Sequence, residues 1–319
     1  MRRLLTLAGA TILALALAAG GAFHFASSRV VAPGPLAQPT NLVIPRGGTE
    51  GIAAALLEAG IIKDARLFAL AAWWSRADGP LRAAEFSFPA AASIRDVLTT
   101  LREGRPVQRR LTIAEGLTAR QIVALLERAE GLTGEVPALA EGAALPETYA
   151  FTWGDSRASL LRRAVAAMDA ALAEAWAARA PNLPLANPRE ALILASIIER
   201  ETGVAAERAL VGGVFTNRLR RGMMLQSDPT VAYVPGQGLP LDRPLTRADL
   251  DQAHPFNTYR IRGLPPGPIA SPGREALRAA TRPAETEFLF FVADGTGGHA
   301  FARTLEEHNR NVARWRALR

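Results

Sequence analysis

The chain has 319 residues, 49% of them hydrophobic and 21% charged, which suits roughly two folded domains. It contains no cysteine, so disulfides, thiolate metal sites, a catalytic thiol and a lipid-modified cysteine are all excluded. The formal charge is +7, but Lys63 is the only lysine and the arginines are scattered among alanines and leucines. A binding patch would gather them, so this distribution argues against nucleic acid as a partner.

Arg2 and Arg3 precede a run free of Asp, Glu, Lys and Arg from residue 4 to residue 26. About 20 apolar residues span a bilayer, and two arginines on a very short tail favour a cytoplasmic N-terminus. A cleaved signal peptide is the competing reading, because the small residues at 18–22 would suit a cleavage site. The apolar character continues through Phe23 and Phe25, which favours a retained anchor. Either reading exports the rest of the chain. The expected organisation is an anchor over residues 1–28, a Pro-rich linker over 29–40 carrying Pro33, Pro35 and Pro39, and folded regions over 41–150 and 151–319.

Residues 41–130 contain a weak internal echo. Leu42-Val43-Ile44-Pro45 reads as a strand, followed by Gly47, Thr49 and a helix with Leu56 and Leu57. Leu111-Thr112-Ile113 repeats the pattern, followed by Gly116, Thr118 and a helix with Leu125 and Leu126. Two such units resemble small glycan-binding modules of the LysM kind; an ordinary α+β packing domain fits the same pattern. Between the copies, Asp64 caps a helix with Trp73 and Trp74, a strand is expected over 85–89, and Ser93 caps another helix. Residues 141–149 read as a loop. A long alanine-rich helix follows over 156–179.

The central stretch begins at Asn187, a good N-cap, with Pro188 at the first helical position and Gly203 as the expected stop. Residues 191–198 are apolar on nearly every face except at Ser196, so the helix is expected to be buried. It ends in Glu199-Arg200-Glu201. Carboxylates two apart point to nearly opposite sides and cannot serve one cleft as a close pair. Glu201 lies in line with Leu194, Ile197 and Ile198, at the negative end of the helix dipole. Both surroundings disfavour the charged form and raise its pKa, as a general acid requires. The alternative is that both glutamates only solvate the helix end.

Beyond it, residues 207–220 read as a helix with Val211, Val214, Phe215 and Leu219 on one stripe. Residues 225–230 read as a polar turn and 235–244 as a Pro-rich loop. Thr246 caps a short helix with Asp249. A helix is expected over 275–281, the best strand over 288–293, a hairpin turn into His299-Ala300-Phe301, and a final helix over 305–318. His254, His299 and His308 do not have a metal-ligand spacing, and no phosphate loop or serine-nucleophile elbow is present. No metal and no cofactor is expected.

Taken together, Ala195-Ser196-Ile197-Ile198-Glu199-Arg200-Glu201-Thr202, Leu225-Gln226-Ser227-Asp228-Pro229-Thr230, Asn257-Thr258-Tyr259, Gly263-Leu264-Pro265-Pro266-Gly267-Pro268-Ile269 and Phe291-Val292-Ala293-Asp294-Gly295 resemble the YceG-like endolytic murein transglycosylases. The resemblance covers essentially the whole chain. It implies an α+β fold: an N-terminal transmembrane helix, a LysM-like module over 41–150 and a mixed α+β catalytic domain over 151–319. It also implies cleavage of the β-1,4 bond between N-acetylmuramic acid and N-acetylglucosamine in nascent glycan strands. The products would carry 1,6-anhydro ends, as from a terminase of glycan elongation. The second glutamate of the family's Glu-x-Glu motif falls on Glu201, where the helix argument also points. Gln226, Asp228, Asn257 and Tyr259 are expected to line the cleft and bind substrate. The expected partners are peptidoglycan glycan strands, the inner membrane and cell-wall synthases, with the bulk of the chain in the periplasm. Two other readings are a hydrolytic muramidase using Asp228 as partner carboxylate and a glycan-binding scaffold without catalysis. Arg200 stands where many relatives have lysine, Ser227 where many have threonine, and Glu147 where aspartate is common.

Overall fold

The structure is a computed structural model that describes residues 2–236, 238, 239, 241 and 243–318. Its chain divides into two compact units, one running to residue 109 and including 152–154, the other formed by 110–151 and 155 onward.

The first unit contains α1 (Arg2–Val31), β1 (Thr40–Val43), α2 (Thr49–Glu58), α3 (Ala65–Trp74), β2 (Glu85–Phe88) and α4 (Ile94–Glu103). β1 and β2 pair antiparallel, with Leu42 opposite Phe86. Phe68, Phe86, Phe88, Leu56, Ile61 and Leu101 are fully buried and form its core. Asp64 caps α3 by accepting from the N–H groups of Arg66 and Leu67, as expected from its position. Ser93 and Asp96 form a capping box on α4. Among the described residues no helix is long and apolar enough to cross a membrane. The side chains of residues 2–12, 14 and 22 lie outside the described residues, so about half of the predicted anchor is not described at side-chain level.

The second unit contains β3 (Arg109–Thr112), α5 (Ala119–Arg128), β4 (Thr148–Phe151), α6 (Arg157–Ala177), α7 (Pro188–Glu201), α8 (Arg208–Arg220), α9 (Asp228–Gly236), α10 (Arg247–Asp251), α11 (Arg274–Thr281), β5 (Phe290–Ala293), β6 (His299–Ala302) and α12 (Leu305–Ala317). The architecture is mixed α+β, with small two-stranded sheets beside helices. β5 and β6 form the expected antiparallel hairpin, Phe291 opposite Phe301.

α7 is the axis of this unit. Asn187 Oδ1 accepts from the Glu190 N–H at 3.0 Å and Pro188 opens the helix, as the sequence predicts. Every residue from 193 to 198 is buried, and α7 packs against α6, α8 and α11. Close packing requires glycine at 212: a Cβ there would sit 2.5 Å from the Ala279 carbonyl oxygen on α11.

Three features differ from expectation. The two echoing segments do not share one unit: β1 pairs with β2 in the first, whereas β3 pairs with β4 in the second. β4 lies where a loop was expected, because Tyr149 and Phe151 alternate inward and reach the core around Ile122, Leu126 and Leu160. The turn after Leu225 is shorter than predicted, with Asp228 and Pro229 opening α9; proline is tolerated in a first helical turn. α7 ends at Glu201 as expected, with Thr202 already extended at φ −133° and Gly203 just past the end. Part of the expected loop over 235–244 lies outside the described residues.

Candidate active site

Glu201 is the last residue of α7, where the backbone leaves the helix. Thr202 is buried, and its hydroxyl lies 3.3 Å from Glu207 Oε2. Glu207 accepts from the His299 backbone N–H at 2.9 Å and meets His299 Nδ1 at 2.7 Å. The residue after Glu201 is thereby tied to the start of β6.

The loop facing Glu201 is built from two sequence motifs that fold onto each other. The Gln226 N–H donates to the Thr258 carbonyl at 3.1 Å, and the Ser227 N–H donates to Thr258 Oγ1 at 2.9 Å. Thr230 and Thr258 join their hydroxyls at 2.8 Å, both fully buried. Gln226 has φ +52°, a left-handed conformation that a non-glycine residue holds only where its surroundings enforce it. The Gly-Leu-Pro-Pro-Gly segment is fixed from α7 itself, since the Ile269 N–H donates to Ser196 Oγ at 3.1 Å. The one polar residue in the apolar core of α7 is thus a tether.

Burial pushes the Glu201 carboxyl from 4.5 up to about 7. The Ser227 hydroxyl opposes that shift, the Asp228 carboxylate adds to it, and the Arg218 guanidinium opposes it. Ser227 Oγ is buried with no close hydrogen-bond partner, so its influence on Glu201 acts over a longer separation than a formed hydrogen bond. Glu201 as a whole is partly exposed, and Gln226 and Asp228, which flank Ser227, are exposed. A small recess lined by Thr118, Arg200, Pro229, Tyr233 and Ile269 adjoins this region; none of the five predicted site residues is in its wall.

The two glutamates have separate roles. Glu199 is buried, at 4% side-chain exposure. It accepts from the Gly273 N–H at 2.8 Å and from Arg208 Nη2 at 3.1 Å, while Arg208 also pairs with Glu115. Burial raises its pKa, against the pull of those two donors. Neither glutamate simply solvates the helix end: Glu199 is a structural ion pair joining α7, α8 and the start of α11, and Glu201 has no such partner. Glu199→Gln keeps an acceptor for Gly273 and is expected to hold any activity that depends on Glu201 within about tenfold of wild type, a barrier change near 1.4 kcal/mol. A Glu199→Gln enzyme as inactive as a Glu201 variant would assign the chemistry to the wrong carboxyl.

Of the four predicted substrate contacts, Asp228 and Tyr259 interact electrostatically with Glu201, and Gln226 precedes Asp228 on the same turn. Asp228 is exposed and accepts from Tyr259 OH at 2.6 Å. Burial first, and then that hydrogen bond, push the Tyr259 phenol far up, so it stays a donor. Gln226 Oε1 accepts from Arg218 Nη1 at 3.2 Å. Asn257 has a different place from the expected one. It is 1% exposed, its amide donates to the carbonyls of Asp249, Leu250 and Gln252, and its Oδ1 accepts from the Tyr259 N–H. Its polar atoms shape the loop instead of facing a cleft.

Arg218 escaped the sequence reading. It is 7% exposed on α8 and donates to the carbonyls of Leu289, Met224 and Leu225 as well as to Gln226. Its guanidinium lies over the Phe290 ring, 5.1 Å from the centroid. The signal was available: position 218 is four after Val214 and seven after Val211, on the apolar stripe itself. A carboxyl the sequence reading also missed, Glu141, accepts from the Ala119 N–H at 2.8 Å and from Tyr233 OH at 3.2 Å. Among the described residues no group of three histidine or carboxylate side chains is placed to hold a metal ion.

The comparisons with known proteins agree on one family. The model of the YceG-like family matches residues 42–314. A protein named endolytic murein transglycosylase from Streptococcus pneumoniae serotype 2 (strain D39 / NCTC 7466) is 30% identical, over 85% of this chain and 57% of its own length. One of the same name from Bacillus subtilis (strain 168) is 36% identical over 170 residues, 53% of this chain and 46% of its own length. A crystal structure of a yceG-like protein from Listeria monocytogenes superposes with a TM-score of 0.55 at 27% identity, covering 86% of this chain and 98% of that one. The chain therefore spans about half the length of the curated relatives it matches. With a family match over most of its length, the chain belongs to the YceG-like family.

Proposed function

We propose that the protein is an endolytic peptidoglycan lytic transglycosylase with Glu201 as its acid and base. The observation that carries this reading is a carboxyl at the end of a buried helix, pushed up to about 7 by burial, beside an exposed polar loop. Relatives 30% and 36% identical bear the name endolytic murein transglycosylase, which supports the same chemistry.

In the proposed reaction, protonated Glu201 gives its proton to the oxygen of the β-1,4 bond between N-acetylmuramic acid and N-acetylglucosamine. The C1–O bond breaks and the N-acetylglucosamine end leaves with a free 4-hydroxyl. The muramic acid's own acetamido group stabilises the electron-poor C1. The Glu201 carboxylate then takes the proton of the 6-hydroxyl as O6 attacks C1, closing a 1,6-anhydro ring without water. One carboxyl with a pKa near the working pH serves both steps. Asp228 and Tyr259, joined to each other, and Gln226, held by Arg218, are the polar groups placed to bind the sugars.

The hydrolytic alternative draws on Asp228, whose charge reaches Glu201. A hydrolase needs its second carboxylate free to act on water or on C1, whereas an Asp228 oxygen is engaged by Tyr259 at 2.6 Å. Mass spectrometry of digested uncrosslinked glycan separates the readings. The expected products carry anhydro ends; reducing ends would overturn the lytic mechanism, and binding without shortening would favour the scaffold.

The same reading places residues 4–26 in the inner membrane as a retained single-pass anchor and the two units in the periplasm, where the enzyme would end glycan elongation near cell-wall synthases. Its support is the 23-residue run without Asp, Glu, Lys or Arg behind two arginines. The LysM-like glycan-binding role narrows to the first unit, which has its own strand pair flanking two helices.

A further inference from the structure

α3 buries Phe68 and Ala72 but turns two tryptophans outward. Trp73 is 57% exposed, Trp74 66% and Leu70 52%. The two indoles meet edge to face with centroids 6.4 Å apart, so they form one aromatic ridge. Water is a poor environment for such a ridge, and adjacent exposed aromatics on a small unit mark a surface that meets something else.

Its neighbours say what that is. Trp74 lies against Phe23 of α1, centroids 5.5 Å apart. Phe23 is three residues before Ala26, where the uncharged run ends. At 1.5 Å of rise per residue that is about 5 Å along the helix, less than one turn. The ridge therefore stands level with the end of the apolar run. The margin of the patch is basic: Arg29 sits over the Phe25 ring at 4.9 Å and Arg76 over the Trp73 ring at 4.6 Å. Tryptophan with arginine just outside it is the side-chain order of a bilayer boundary, apolar bodies toward the acyl chains and cations toward phosphates.

We propose that this face of the first unit seats on the outer surface of the phospholipid bilayer, with Trp73 and Trp74 at the boundary between headgroups and acyl chains and Arg29 and Arg76 toward anionic headgroups. It rests on the reading that residues 4–26 are a retained anchor and adds to it a second, lateral contact. The unit would then be held against the membrane as a fixed base and would not swing on a free tether.

The test uses the full chain in vesicles of phosphatidylcholine and phosphatidylglycerol. Flotation after a carbonate wash reports the anchor. Tryptophan emission of wild type minus that of the Trp73→Phe/Trp74→Phe variant isolates the two indoles from Trp153, Trp176 and Trp315. Both side chains are exposed, so the variant is expected to fold. The expected result is a blue-shifted difference emission, most of it lost when the lipids carry bromine high on their acyl chains and little of it lost when bromine lies near the chain ends. Vesicles that float with the protein while the difference emission stays unquenched would overturn the surface and leave the anchor standing. Protein that fails to float would overturn both. A difference emission that answers to soluble glycan strands but not to brominated lipid would give the ridge to the glycan and overturn the proposal.

Discussion

Glu201→Gln is expected to lower the proposed glycan cleavage by about a thousandfold or more while the fold is retained, because a positioned acid–base group is worth roughly 10² to 10⁴ in rate and here one group would serve both proton transfers. The amide matches the carboxyl in size but can neither give nor take the proton. The same substitution carries a stability signature of opposite sign. The Glu201 pKa stands at about 7 in the native chain against 4.5 for an ordinary glutamate. The native state holds the proton to higher pH, so the carboxyl's contribution is fully present below about pH 4.5 and is lost as pH rises through 7. Gln removes that loss. The variant should match wild type near pH 4 and exceed it above pH 7, by an amount on the order of 3 kcal/mol at most, from the 1.36 kcal/mol per pKa unit. Thermal unfolding followed across pH 4–8 reads this directly. A variant that is less stable than wild type at pH 8 would mean that the charged carboxylate is welcomed where it sits.

The second large effect is expected at Arg218. Replacing it with Met leaves the carbonyls of Leu289, Met224 and Leu225 without their donor and frees Gln226. A buried polar group without a partner costs about 1–3 kcal/mol, so the loss of stability should be several kcal/mol. Lys keeps the charge but cannot span the same acceptors, and should recover only part of it. The catalytic consequence separates a role at the site from a purely structural one. Without the guanidinium nearby, Glu201 gains proton affinity, and the limb of the pH–rate profile that reports it should move to higher pH in Met but much less in Lys. If both variants keep the wild-type limb and lose only stability, Arg218 supports the fold and nothing more.

Much of the second unit can be read along the chain, because its signals are local. Asn187 with Pro188, Thr246 with Asp249, and the turn between Phe291 and Phe301 are short patterns that one stretch of backbone satisfies by itself. The apolar surroundings of Glu201 belong to the same class, since Leu194, Ile197 and Ile198 are its own helix neighbours. What escapes the sequence depends on partners far along the chain. Glu199 finds the Gly273 N–H 74 positions away, and Gln226 and Ser227 find Thr258 across 32 and 31. Strand β4 exists because β3 is there to pair with it, and that pairing draws the second echo out of the first unit. Asn257 looks like a sugar-binding amide in sequence; only the fold shows three carbonyls converging on it. Arg218 is the instructive case. A charge on an apolar stripe is visible in sequence, but its four acceptors are not.

The most direct measurement is the titration of Glu201 itself. Carboxyl ¹³C spectra of glutamate-labelled wild type, compared across pH with those of Glu201→Gln, isolate one resonance. A midpoint near 7 is predicted, with the pH–activity profile turning on the same value. A midpoint near 4.5 would show a carboxylate fully ionised at neutral pH, with no proton to give a glycosidic oxygen, and would contradict the assignment of Glu201 as the acid.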